Sequence, residues 1–263
     1  MNEFGKEFYK LYQETDDHDY FLHYFFLING REFHIVEFVP VNSILNNCHK
    51  IAVEKARYTR DEGQDAKTRE PARKVINQFK GIMAETAIHI FLNRECGFSL
   101  DCISRWDLVR PDFKSAENEY DIKVNEGGRE FCIESRSSSS YRTSLEEFMQ
   151  EYDIIGKYTN AVKRQEKKSD LYIRPVFQYE NPNMTKKEYQ KAVGDTYQDI
   201  SENSLKLFLV AAAGKEEMYG SKGYYKNMGQ GSTRYRCIKI RNAHDMDFIK
   251  TYIEDLLGSS ETQ

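Results

Sequence analysis

Apolar and polar positions change their period several times along this chain, and each period predicts an element. Residues 20–39 carry two aromatic and aliphatic runs separated by Asn29-Gly30, a dipeptide favoured in two-residue turns, which predicts a hairpin. Residues 42–60 have helical spacing, and the polar stretch 60–70 reads as a loop. Pro71 suits the first turn of a long helix that runs to about Cys96 and stops at Gly97. Its early apolar residues, Val75, Ile76, Phe79, Ile82 and Met83, lie on one face. Beyond Gly81 the helix is apolar nearly all round, which predicts burial. Glu85 stands inside that apolar segment, where a charge is costly without a partner; His89, one turn on, is one candidate partner.

A second hairpin is expected over residues 120–136, with its turn at 125–128. Asp121 begins its first strand, and Glu134 lies near the end of its second. The serine run 137–140 reads as a polar loop. Ser144 and Glu147 form a capping box that opens a helix near Leu145, and Thr185 with Glu188 forms another, opening a helix to about Ile200. Residues 171–179, 205–213 and 234–240 read as strands, and 246–257 as a closing helix stopped by Gly258. This order predicts an α/β (α+β) fold with a central mixed β-sheet flanked by helices. We expect a single domain: an N-terminal hairpin-helix extension (1–69), a core (70–180), and C-terminal strands with a closing helix (181–263).

The composition is that of a globular protein: 263 residues, 40% hydrophobic and 30% charged. No apolar stretch is long enough to span a bilayer, and the first residues lack the apolar centre of a signal peptide. The five scattered cysteines are odd in number and lack metal-ligand spacing, which fits reduced thiols and a cytoplasmic location. The net charge is −4, yet residues 214–241 hold seven basic side chains and two acidic ones. Within that segment residues 222–236 read as a loop, in which Lys222, Lys226, Gln230, Arg234 and Arg236 are interleaved with glycines and tyrosines, a mixture suited to phosphate contact and base reading.

Asp121 and Glu134, at neighbouring positions on paired strands, repel each other unless a cation lies between them. Magnesium, held by a few carboxylates and substrate phosphate oxygens, meets that need. Tyr120-Asp121-Ile122 followed by Ile133-Glu134-Ser135-Arg136-Ser137 resembles the PD-(D/E)xK signature of restriction-endonuclease-like nucleases. The order of elements is similar too: a helix with a glutamate, the acidic hairpin, a helix, then a strand at Leu171. The resemblance covers residues 70–180. It departs from the family at Arg136, which stands where the signature has lysine. Pro111-Asp112 offers another Pro-Asp pair, but outside the hairpin.

The resemblance implies a Mg²⁺-dependent endodeoxyribonuclease, with Mn²⁺ as the alternative metal, similar to type II restriction enzymes and acting on double-stranded DNA as a homodimer. It implies metal ligation by Asp121, Glu134 and the carbonyl of Ser135. Glu85 would serve a second metal or a water, Arg136 would be an electrostatic clamp, and Ser137 would contact DNA. Two other functions remain open on the same residues. One is a nuclease acting on RNA or single-stranded DNA in host defence; the other is a non-catalytic DNA-binding module with a degenerate site.

Overall fold

The computed structural model describes residues 1–59, 70–114, 120–159, 168–179, 185, 196–228 and 233–258. In chain order the first elements are α1 (Glu3–Gln13), β1 (Phe21–Ile28), β2 (Arg31–Phe38), α2 (Asn42–Arg57) and α3 (Pro71–Arg94). They are followed by β3 (Ile103–Arg105), α4 (Trp106–Val109), β4 (Ile122–Glu126), β5 (Arg129–Ser135) and β6 (Ser138–Ser140). Next come α5 (Leu145–Glu151), β7 (Asp153–Thr159), β8 (Leu171–Tyr179), α6 (Thr196–Ser201) and β9 (Leu205–Gly214). The last are α7 (Lys215–Tyr219), β10 (Tyr224–Asn227), β11 (Arg234–Lys239) and α8 (Phe248–Gly258).

Eight of the described strands form one mixed sheet in the order β1-β2-β9-β8-β5-β4-β3, with β6 also paired to β8. The pairings of β5 and β6 with β8 are parallel, and the others are antiparallel. β8 and nearly all of β9 are buried along their length, which explains why both read as apolar runs and lie centrally. β10-β11-β7 make a smaller antiparallel sheet. One face of the main sheet, with Ile122, Ile133, Ile173 and Leu209, packs on Ile88 and Phe91 of α3. The other face, with Tyr172, Val176 and Val210, packs on Phe148 of α5, Met218 of α7 and Ile238 of β11.

The predicted central mixed sheet flanked by helices is present. Both hairpins form: Asn29 and Gly30 have φ of 52° and 76°, and Gly127 and Gly128 have φ of 59° and 78°. The left-handed pairs let the chain reverse within two residues. The N-terminal hairpin is part of the main sheet, because Val36 pairs with Leu209. The helix at Leu145 has its capping box but ends at Glu151. The chain then enters β7, which the apolar periodicity did not single out.

Three expectations need correction. The serine run is not a loop, since Ser138–Ser140 pairs in parallel with Val176 to Gln178 of β8. Asp121 lies one residue before β4 rather than inside it. The basic segment after Lys222 contains a strand, β10, where a loop had been expected. The stretch 60–69, Glu188 of the second capping box, and Gln230 lie outside the described residues.

Candidate active site

The register of the second hairpin carries the chemistry. Ile122 pairs with Ile133, so Asp121, one step before, comes opposite Glu134, one step after. The Trp106 N–H donates to the Asp121 carbonyl at 3.1 Å. The Ser135 N–H donates to Asp121 Oδ2 at 2.8 Å, which fixes the carboxylate against the end of β5. Asp112, the other acid of a Pro-Asp pair, is exposed and accepts from the Lys114 N–H in a local turn.

Glu134 is 7% exposed. Arg136 Nη2 lies 2.8 Å from its Oε1, and Lys157 Nζ donates to its Oε2 at 2.9 Å. Ser169 Oγ donates to the same Oε2 at 3.4 Å. The backbone of Arg136 is held in turn. Arg174, buried on β8, donates from Nη1 to the Arg136 carbonyl at 2.5 Å and from Nη2 to Ser138 Oγ at 2.9 Å. Burial pushes the Arg174 guanidinium down to about 10.

Glu85 reaches this cluster from α3. The apolar residues around it on α3 each stabilise the fold by about 2 kcal/mol on burial, so several together outweigh the few kcal/mol of one poorly solvated acid. Burial, then Asp107 and Asp121, push its carboxyl well above the usual carboxylate range; Lys55 and Arg105 oppose this. Asp121 is pushed up to about 7, first by burial and then by Glu134, against the Ser135 N–H, Arg136 and Lys55. Asp107 is buried, with Lys55 Nζ on Oδ2 and Arg110 Nη1 3.5 Å from Oδ1. His89 is not the partner of Glu85. Among the described residues its ring nitrogens have no hydrogen-bond partner, and its ring lies edge-on to Phe8 and Tyr9.

Among the described residues, no three His, Cys, Asp or Glu side chains converge closely enough to hold a metal ion by themselves. Magnesium does not need three: it commonly takes one or two carboxylates and keeps water and phosphate oxygens for the rest. Asp121 and Glu134, with the Ser135 carbonyl beside them, fit that requirement. Burial first, and then repulsion from Glu134, hold Asp121 near 7, and a cation there would favour its ionised form against both.

The basic C-terminal segment borders the site through β7. Tyr158 of β7 lies under Arg136, with the guanidinium 5.6 Å from the ring centroid, and packs 5.7 Å from Tyr235 of β11. Its cations differ in kind. Lys226 lies 2.5 Å from buried Asp153, and Arg236 donates to the carbonyls of Met218 and Gly220. Lys222 lies 3.4 Å from Glu217, and Arg234 is exposed. Ser137, partly exposed, directly follows Arg136.

Sequence reasoning missed Lys157, Asp107, Lys55 and Arg174. For Lys157 a signal existed: Ile154, Ile155 and Tyr158 suit a strand, and Lys157 shares that run. Nothing local distinguished Lys55 from the other lysines of the chain.

No protein-family model matches the chain, and no solved structure matches it. It is similar to an uncharacterized protein, MJECS01, of Methanocaldococcus jannaschii. The two are 24% identical over 231 residues, which cover 81% of this chain and 83% of that protein. Among the described residues no helix is long and apolar enough to cross a membrane.

Proposed function

We propose that this chain is a metal-dependent nuclease that hydrolyses DNA phosphodiester bonds, in the manner of a type II restriction enzyme working as a cytoplasmic homodimer. The observation that carries this reading is the facing pair Asp121 and Glu134, with Lys157 and Arg136 on the second carboxylate. When bound, Mg²⁺ supplies positive charge at the scissile phosphate and lowers the pKa of water. Asp121, Glu134 and the Ser135 carbonyl would hold it, and Glu85 would complete the acidic wall. Lys157 and Arg136 flank the same point and stabilise the negative charge that grows on the phosphate. Arg136 keeps its proton throughout, whereas a lysine can exchange one, so Lys157 takes the part that the signature assigns to its lysine. Ser137, Lys222 and Arg234 are the DNA contacts that this reading favours.

One observation favours a second reading, a DNA-binding module without catalysis. Both oxygens of Glu134 already have cationic partners, as in a closed structural ion pair. Incubation with plasmid DNA and Mg²⁺ or Mn²⁺, followed by end mapping, separates the two. Cleavage that disappears in Asp121→Asn while DNA binding persists supports the nuclease. DNA binding with no cleavage under either metal supports the second reading. Cutting confined to RNA or single strands moves the target to those polymers.

A further inference from the structure

We propose that two copies of this chain join along β1, strand against antiparallel strand about a two-fold axis at Phe25, so that their main sheets become continuous. Among the described residues β1 lies at the end of the main sheet and borders β2 alone. Its sequence, Phe-Leu-His-Tyr-Phe-Phe-Leu-Ile, has no lysine, acid or proline, and its pairing with β2 runs through all eight residues without a bulge. Those are the devices that keep exposed edges from pairing, and none of them is present here. The opposite edge, β3, has one of them, since it is only three residues long.

The backbone decides the register. Ile28 pairs with Arg31 across the two-residue turn, and the Tyr20 carbonyl accepts from the Val39 N–H at 2.9 Å. The even-numbered residues of this run therefore direct their backbone groups at β2. The Phe21 N–H instead turns back to Asp19 Oδ1 at 3.3 Å. The odd positions His23, Phe25 and Leu27 thus aim N–H and C=O away from β2, off the edge of the sheet. A two-fold axis at Phe25 sets Phe25 opposite Phe25 and His23 opposite Leu27. Each of these pairs exchanges both N–H···O bonds, so every outward group of the three residues is used.

The side chains fit the same register. Leu22, Phe25 and Leu27 are 46%, 60% and 67% exposed, although Phe21 and Ile28 at the ends of the strand are buried. Phe25 alone leaves about 100 Å² of ring open. In the pair, Phe25 packs on its copy, Leu27 on the His23 ring, and Leu22 beside Ile28 of the other chain. A two-fold axis sets like groups close together, so a strand without charge suits a second copy of itself better than a charged strand would. This contact gives the homodimer proposed above its surface. It does not depend on the nuclease reading, because β5 lies four strands away from β1 and the test reads association rather than cleavage.

Sedimentation velocity on the full chain over a concentration series should show a monomer–dimer equilibrium. Phe25→Lys sets two ammonium groups face to face on the axis and should weaken association about tenfold or more, while circular dichroism stays native. Mild oxidation of Phe25→Cys should link two chains by a disulfide. Leu22→Cys, whose opposite number is Ile28, should not link. A wild type that stays monomeric at every concentration overturns the proposal and leaves the edge to a strand of another protein. A dimer that persists unchanged in Phe25→Lys, or one in which Phe25→Cys fails to cross-link, overturns it too.

Discussion

Lys157 and Glu134 meet across 2.9 Å from two different sheets, the ammonium on β7 and the carboxylate on β5. Arg136 holds the other carboxylate oxygen. The position after Ser135 therefore need not carry a lysine for one to reach the site. Lys157→Ala and Arg136→Ala should each slow cleavage by about 10²-fold or more, the usual cost of deleting one charge-stabilising donor. The conservative exchanges should divide them: Arg136→Lys retains activity, and Lys157→Arg does not, because arginine cannot exchange a proton. Single-turnover rates on plasmid DNA measure this. A fully active Lys157→Arg would remove the proton role from Lys157.

Asp121→Asn and Glu134→Gln should abolish cleavage and leave DNA binding within a few fold of wild type. Gel-shift affinity in Ca²⁺, alongside cleavage in Mg²⁺, separates the two effects. Glu134→Gln should also destabilise the fold, because Arg136 and Lys157 lose their charged partner. Asp121→Asn should not, since it relieves repulsion. Equal destabilisation of both variants would contradict this account of the pair.

Glu85→Gln should lower the cleavage rate without lowering thermal stability. The neutral amide keeps the shape of the side chain and carries no charge to be penalised by burial, or repelled by Asp107 and Asp121, the causes that push the Glu85 carboxyl up. A fall in Tm of several degrees would show that the charge of Glu85 is needed by Lys55 and Arg105 for the fold itself.

The cations of the basic segment should separate into two kinds. Removing Lys222 and Arg234 together should weaken binding to all DNA sequences. It should also lower the slope of log affinity against log salt by about 0.9 for each phosphate that is no longer neutralised. Lys226→Ala should instead cost about 1–3 kcal/mol of stability. It strips a charged hydrogen bond from buried Asp153, although Lys239 remains 3.3 Å away. Denaturant titration and salt-dependent binding read the two effects separately.

Lys80 predicts a pH effect on stability. It is buried on α3 and donates to Ser139 Oγ at 2.7 Å. Burial, then Arg73, lower its pKa from 10.5 to about 8, with Asp199 opposing. Between about pH 8 and 10.5 the unfolded chain therefore binds more protons than the folded one, and stability contributed by this group rises with pH across that window. Lys80→Met should lose that rise, read as the difference between the two proteins in urea melts at pH 7.5 and 9.5. Parallel pH profiles would show that Lys80 titrates normally.

The local patterns determined much of this protein. Asn29-Gly30 and Gly127-Gly128 place the hairpins because few other residues tolerate positive φ at adjacent positions. The apolar runs of α3, β8 and β9 announce burial because only packed elements tolerate them. The acids Asp121 and Glu134 were legible because a hairpin's register follows from its turn. What surrounds those acids was decided only by tertiary structure. Lys157 reaches Glu134 because β7 pairs with β11, nearly 80 residues later, and no periodicity encodes that pairing. Asp107 and Lys55 look like ordinary charged residues until Lys55 of α2 meets buried Asp107 of α4 in an ion pair. Ser138–Ser140 has no apolar signature, yet it becomes a strand because β8 extends beyond the end of β5, and Arg174 and Lys80 satisfy its hydroxyls. Charge pairing and sheet register between distant segments depend on where the chain returns in space, and that is set by the packing of the whole core.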